Sequence, residues 1–228
     1  MKNIHPVTTS GSAGFSLIEL LTVVSIMAIL GTIAMPALRT GITSAQMART
    51  TANARSISLG LRTWAADNGG VFPAFEDLEG NSITTSNDAF RALVPYYIDT
   101  EKIFTVSRSA WGKEADGRKT EVSDILEPGE NHFAYVAGLS DTSQSSFPLV
   151  ADGTNGSGLY VTESGQKGGC WEGRKAIVAF VGGNAEAITL RGPRDGERHI
   201  PREGYPDENA LLVDYMGEDV ELLEPAED

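Results

Sequence analysis

One segment limits what this chain can become more than any other. From Phe15 to Leu38 it reads FSLIELLTVVSIMAILGTIAMPAL, with Glu19 as its only formal charge. As a helix rising about 1.5 Å per residue, this stretch is roughly 36 Å long, enough to cross a hydrocarbon core of about 30 Å. Ahead of it lies a short polar leader, Met1–Gly14, whose only positive side chain is Lys2. A cleavable secretory signal has this layout, and Thr32-Ile33-Ala34 offers a small-residue cleavage site. A plain transmembrane anchor has it too. Both leave Glu19 unexplained, because a carboxylate in a membrane helix costs about 2.5–3.5 kcal/mol even on the lenient insertion scale. An acid in that position calls for a cationic partner.

A third reading supplies the partner. The string Gly14-Phe15-Ser16-Leu17-Ile18-Glu19 closely resembles the cleavage and methylation motif of type IV prepilins and type II secretion pseudopilins. The resemblance implies that a membrane-embedded prepilin peptidase cuts between Gly14 and Phe15 and that the new amine of Phe15 is methylated. It also implies that Glu19, fifth in the mature chain, faces the N-terminal ammonium of a neighbouring subunit during assembly. Pro36 stands where many members of that family carry a proline in the first helix, and Gly31 lies just upstream. Proline removes one helical hydrogen bond and favours a bend. The leader departs from the family in holding one lysine where several basic residues are common, so loop charge says little about orientation.

Charge is unevenly spread. The whole chain carries −13, yet residues 1–67 hold five basic groups against two acidic ones, leaving −16 on the remainder. So acidic a body repels phosphate backbones, which argues against nucleic acid as a partner and leaves room for divalent cations. The single cysteine, Cys170, can form no intramolecular disulfide and nucleates no zinc cluster.

Beyond the apolar run, helical spacing continues through Asp67, with Ala54, Ile57, Leu61, Trp64 and Ala65 on one face. Asn68-Gly69-Gly70 and Pro73 end it. The resemblance implies that this amphipathic half docks on a small antiparallel sheet. A short helix is expected from Ser86, and strands at 103–106, 133–137, 147–151 and 159–161. The clearest hairpin joins Lys175–Val181 to Ala185–Leu190 through Gly182-Gly183-Asn184. Residues 191–209 read as loop, Leu211–Met216 as a last strand and Gly217–Asp228 as a mobile acidic tail. The expected class is α+β: a long N-terminal helix on an antiparallel head. The divisions are leader 1–14, transmembrane half 15–38, amphipathic half 39–68, head 69–216 and tail 217–228.

Catalytic patterns are sparse. His5 lies in the leader, and neither His132 nor His199 accompanies a nucleophile-elbow motif. His132 is read as structural. The glycine pairs Gly168-Gly169 and Gly182-Gly183 suit turns rather than a phosphate cradle. Asp152-Gly153-Thr154-Asn155-Gly156-Ser157-Gly158, followed by Glu163, loosely echoes a calcium loop but lacks its oxygen-rich positions and sharp-turn glycine. The resemblance implies that calcium stays open, since the major pseudopilins of type II secretion systems bind it in a C-terminal loop, with Asp152 and Glu163 as candidate ligands; no other cofactor is expected.

The expected role is a non-enzymatic structural subunit of a pseudopilus or type IV pilus-like filament, with the type II secretion pseudopilus favoured because no disulfide loop is possible. The expected partners are further copies or other pilin-like subunits, the inner membrane, the prepilin peptidase and an assembly platform. The leader would be cytoplasmic and the head periplasmic before entry into the filament. The alternatives are a minor pilin, a filament-tip binding protein, or an exported enzyme on a pilin-type anchor.

Overall fold

The computed structural model describes residues 15–76, 80–117, 121–193 and 196–227. It divides into two compact units, the first ending at Ser44 and the second running from Ala45. A single long helix, α1 (Leu17–Asp67), contributes to both.

In the first unit every residue from Phe15 to Ile42 is exposed. Its surface is apolar all round, with no polar face to turn towards water. The few hydroxyls fold back on the helix: Ser25 Oγ donates to the Leu21 carbonyl at 2.7 Å and Thr32 Oγ1 to that of Ala28 at 2.8 Å. Self-satisfied hydroxyls of this kind are tolerated in hydrocarbon. By length and composition this helix can cross a membrane.

In the second unit α1 buries Ala54, Ile57, Leu61 and Ala65, three or four positions apart. Ser58 Oγ donates to the Phe180 carbonyl at 3.1 Å and Arg62 to that of Val181 at 3.0 Å, fixing the helix to the sheet. The helix stops where expected. The Gly70 N–H returns to the Ala65 carbonyl at 2.7 Å, and Gly69 and Gly70 take φ of 72° and 85°, which glycine adopts without strain.

The sheet contains β1 (Phe133–Ala137), β2 (Pro148–Asp152), β3 (Lys175–Phe180), β4 (Ala185–Thr189) and β7 (Glu221–Leu223), all antiparallel, in the order β4-β3-β2-β1-β7. Every residue of β1 and β2 is buried, so both faces of the sheet are covered at these two strands. A separate hairpin pairs β5 (Pro201–Arg202) with β6 (Tyr205–Asn209). Helix α2 (Ser86–Arg91) begins at a capping box formed by Thr85 and Asp88. The long helix and antiparallel sheet make the α+β, pilin-like layout that the sequence led us to expect.

Five local expectations differ. Residues 101–104 form a 3₁₀ turn, started by the Thr100 side chain accepting from the Lys102 N–H, instead of a strand. At 159–161 only Tyr160 makes a bridge, to Arg198. The stretch 191–209, expected as loop, supplies β5 and β6, while Val213–Tyr215 is a 3₁₀ turn. The acidic end is built into the head: Leu223 pairs with Tyr135 and Glu221 with Ala137. At Tyr160 and at the acidic end the deciding contact is with a residue distant in sequence, which a local pattern cannot register.

Candidate functional site

Glu19 sits in the first turn of α1, three residues after Ser16. Its Oε2 accepts the Ser16 backbone N–H at 2.9 Å, which is one half of a capping box. The free N–H groups and positive dipole end of the helix favour a carboxylate here. Backbone capping satisfies one oxygen but leaves the net charge in place. Phe15 and Leu17 stand beside it, more than four-fifths exposed. Gly14 lies outside the described residues. Pro36 is inside the helix, and its carbonyl accepts from Thr40 Oγ1 at 3.1 Å.

An apolar helix led by one acid recurs in known chains. Residues 9–35 match the family described as the prokaryotic N-terminal methylation motif. This chain carries a prepilin-type signal. It is therefore pilin-like at its N-terminus, and the helix that follows fits a membrane-anchored pilin. The motif belongs to a structural rather than a catalytic family, whose members assemble into filaments after processing by prepilin peptidase. No curated protein and no solved structure matches the chain.

In the head of this pilin-like protein, Asp152 ends β2 fully enclosed. Its Oδ2 accepts the Trp171 indole N–H at 2.6 Å and its Oδ1 the Ile177 N–H at 3.0 Å, while Tyr160 donates to its backbone carbonyl at 2.9 Å. Burial pushes the carboxyl up to about 7, against the opposing pull of these donors. Glu163 is exposed on a turn. Among the described residues the acids that converge are others: Glu101, Asp116 and Glu130, with oxygens within 4.8 Å of one another. Both buried members are committed to backbone amides, Glu101 to Gly117 and Leu126, Glu130 to Asp116 and Glu127. They tie the loops around 116 and 126 to the core.

His132 is structural. Its Nδ1 accepts the Val106 N–H at 2.9 Å, its ring packs on Trp111, and burial lowers its basicity. Burial also pushes the Cys170 thiol far above its ordinary range, away from the thiolate that reaction requires.

Sequence reasoning missed the clasp at the C-terminus. Lys167, mostly buried, lies 4.0 Å from a Glu224 carboxylate oxygen and 2.7 Å from one of Glu227. Thr154 donates to the other oxygen of Glu224. The Ala226 N–H donates to Asn87 Oδ1 at 2.9 Å and the Gly129 N–H to the Ala226 carbonyl at 2.8 Å. The last residues thus bind four separated parts of the head. Its sequence signal was faint: two leucines, Leu222 and Leu223, among acids.

Proposed function

We propose that this chain is a structural subunit of a pseudopilus or type IV pilus-like filament, in a machine of the type II secretion kind. The observation that carries the reading is the methylation-motif match over residues 9–35, laid on a helix that is apolar on all sides and bears one acid in its first turn. The precursor enters the inner membrane with leader 1–14 in the cytoplasm and the head outside. Prepilin peptidase cuts between Gly14 and Phe15 and methylates Phe15. Glu19 then pairs with the ammonium of a neighbour's Phe15, because two charges too costly to bury singly are tolerable as a pair. The assembly platform draws the subunit from the bilayer, the apolar helices pack against one another, and the acidic heads face outwards. Pro36 gives the helix a point at which to bend.

Intact-mass spectrometry of the protein from native membranes tests the processing. The expected species begins at N-methylated Phe15. A chain that is uncut, or cut after Ala34, refutes the reading.

A further inference from the structure

We propose that a cleft on the head binds a neutral oligosaccharide. The cleft, of about 790 Å³, lies between the β3–β4 hairpin and the β5–β6 hairpin. Register places Phe180 opposite Pro148, Glu186 opposite Val178 and Ile188 opposite Ala176, so the three lining side chains of β3 and β4, Phe180, Glu186 and Ile188, share one sheet face. The far wall is a stack. The Arg202 guanidinium lies 3.8 Å from the centre of the Tyr215 ring and 4.8 Å from that of Tyr205, and Phe147 meets Tyr215 edge-on at 5.7 Å. Glu208 pairs with the guanidinium at 2.7 Å, so the cation in this wall already has a partner.

Three features select the ligand. First, Tyr205 is 57% exposed even though it stacks with Arg202, which leaves amphipathic ring surface open to the cleft. Second, Asn184, Glu186 and Glu203 line the same cleft, and their side chains have no hydrogen bond or ion pair with any described residue, leaving an amide and two carboxylates free to bind hydroxyls. Third, the charges reject anions. An anion meets Glu186 and Glu203 where the one cation is already neutralised by Glu208. A hydroxyl-rich, uncharged ligand with apolar C–H faces stacks on Tyr205 and hydrogen-bonds to both acceptors and donors.

The test uses the full chain in zwitterionic lipid nanodiscs, free of sugar-headed detergent. Cellohexaose, maltohexaose and N-acetylchitohexaose are titrated by calorimetry, with hexalysine as the charged comparison. At least one hexaose is expected to bind, Tyr205→Ala to weaken it roughly three- to tenfold, and Tyr205→Phe to retain it. Thermal melting of Tyr205→Ala at the wild-type temperature confirms its fold. Failure of all three hexaoses, insensitivity to Tyr205→Ala, or hexalysine binding that depends on Glu186 overturns the proposal. Each outcome is independent of whether the N-terminus is processed.

Discussion

Replacing Asp152 with asparagine tests how the head is held together, because geometry and burial pull this carboxyl in opposite directions. Both oxygens face donors, Trp171 Nε1 and the Ile177 N–H. An amide offers only one oxygen, so its NH₂ must face one of those donors, leaving a buried donor unpaired at a cost of about 1–3 kcal/mol. That penalty holds at every pH. Against it stands the cost of charging Asp152. Its carboxyl titrates at about 7 rather than 3.8, so the folded state binds the proton more tightly than the unfolded chain does. Stability from this group is therefore greatest below about pH 4 and falls as pH rises to 7, by about 4 kcal/mol at 1.36 kcal/mol per pH unit. Asparagine has no such slope. Asp152→Asn is expected to melt below wild type at pH 4.5 and to recover relative to it by about 10 °C towards pH 8, at 2–4 °C per kcal/mol for a head of this size. Differential scanning fluorimetry of the two full-length proteins across that range, followed through tryptophan emission, gives the comparison. A melting gap that stays constant with pH would refute the account, since the carboxylate would then be as well solvated by its donors inside the head as by water outside. Glu130 and Glu224 also titrate above their ordinary range, but they are present in both proteins and cancel in the difference.

His132 carries the opposite slope: it is held neutral by burial, so stability falls as pH drops below about 6.5, and His132→Gln should flatten that limb of the melting profile. Lys167→Met should lower the melting temperature by roughly 2–8 °C, because it leaves the mostly buried Glu224 without its cation; an unchanged melt would mean that Thr154 alone satisfies Glu224. A Cβ at Gly138, where φ is 85°, falls 2.1 Å from the Asp219 carbonyl, so Gly138→Ala should displace the approach to β7 and increase amide exchange in Glu221–Leu223; protection equal to wild type would contradict the observed packing.

How much could be read in advance divides along physical lines. The first helix was legible from end to end because its determinants are local: an uninterrupted apolar run, one acid three residues after Ser16, then a stripe at 54, 57, 61 and 65 closed by two glycines. The β3–β4 hairpin was legible for the same reason, its two runs meeting through Gly182-Gly183-Asn184. What escaped were elements made by distant partners. Leu222 and Leu223 become a strand only because β1 offers an edge, and Tyr205, Arg202 and Tyr215 become a wall only once the β5–β6 hairpin folds back. Asp152 was singled out for its oxygens, as a candidate cation ligand; in the fold those oxygens are spent on an indole and a backbone amide.

The hydrogen bond from the Ser16 N–H to Glu19 raises a question that a single substitution answers. In a lone subunit the self-cap stabilises the helix start by about 1 kcal/mol, yet a carboxylate in the bilayer costs about 2.5–3.5 kcal/mol. Capping thus leaves a deficit of about 2 kcal/mol, which pairing with a cation would remove. Glu19→Gln separates the two contributions, because the amide oxygen still accepts from Ser16 whereas the charge is gone. The variant should insert and be cut as wild type is, since membrane residence becomes easier and the cap survives. It should nevertheless enter filaments poorly, because a neighbour's ammonium would then be buried against a neutral partner. Quantifying the variant in sheared filaments against its level in membranes decides the matter. If Glu19→Gln incorporates as well as wild type while Glu19→Ala does not, capping rather than charge pairing is what assembly requires of this residue.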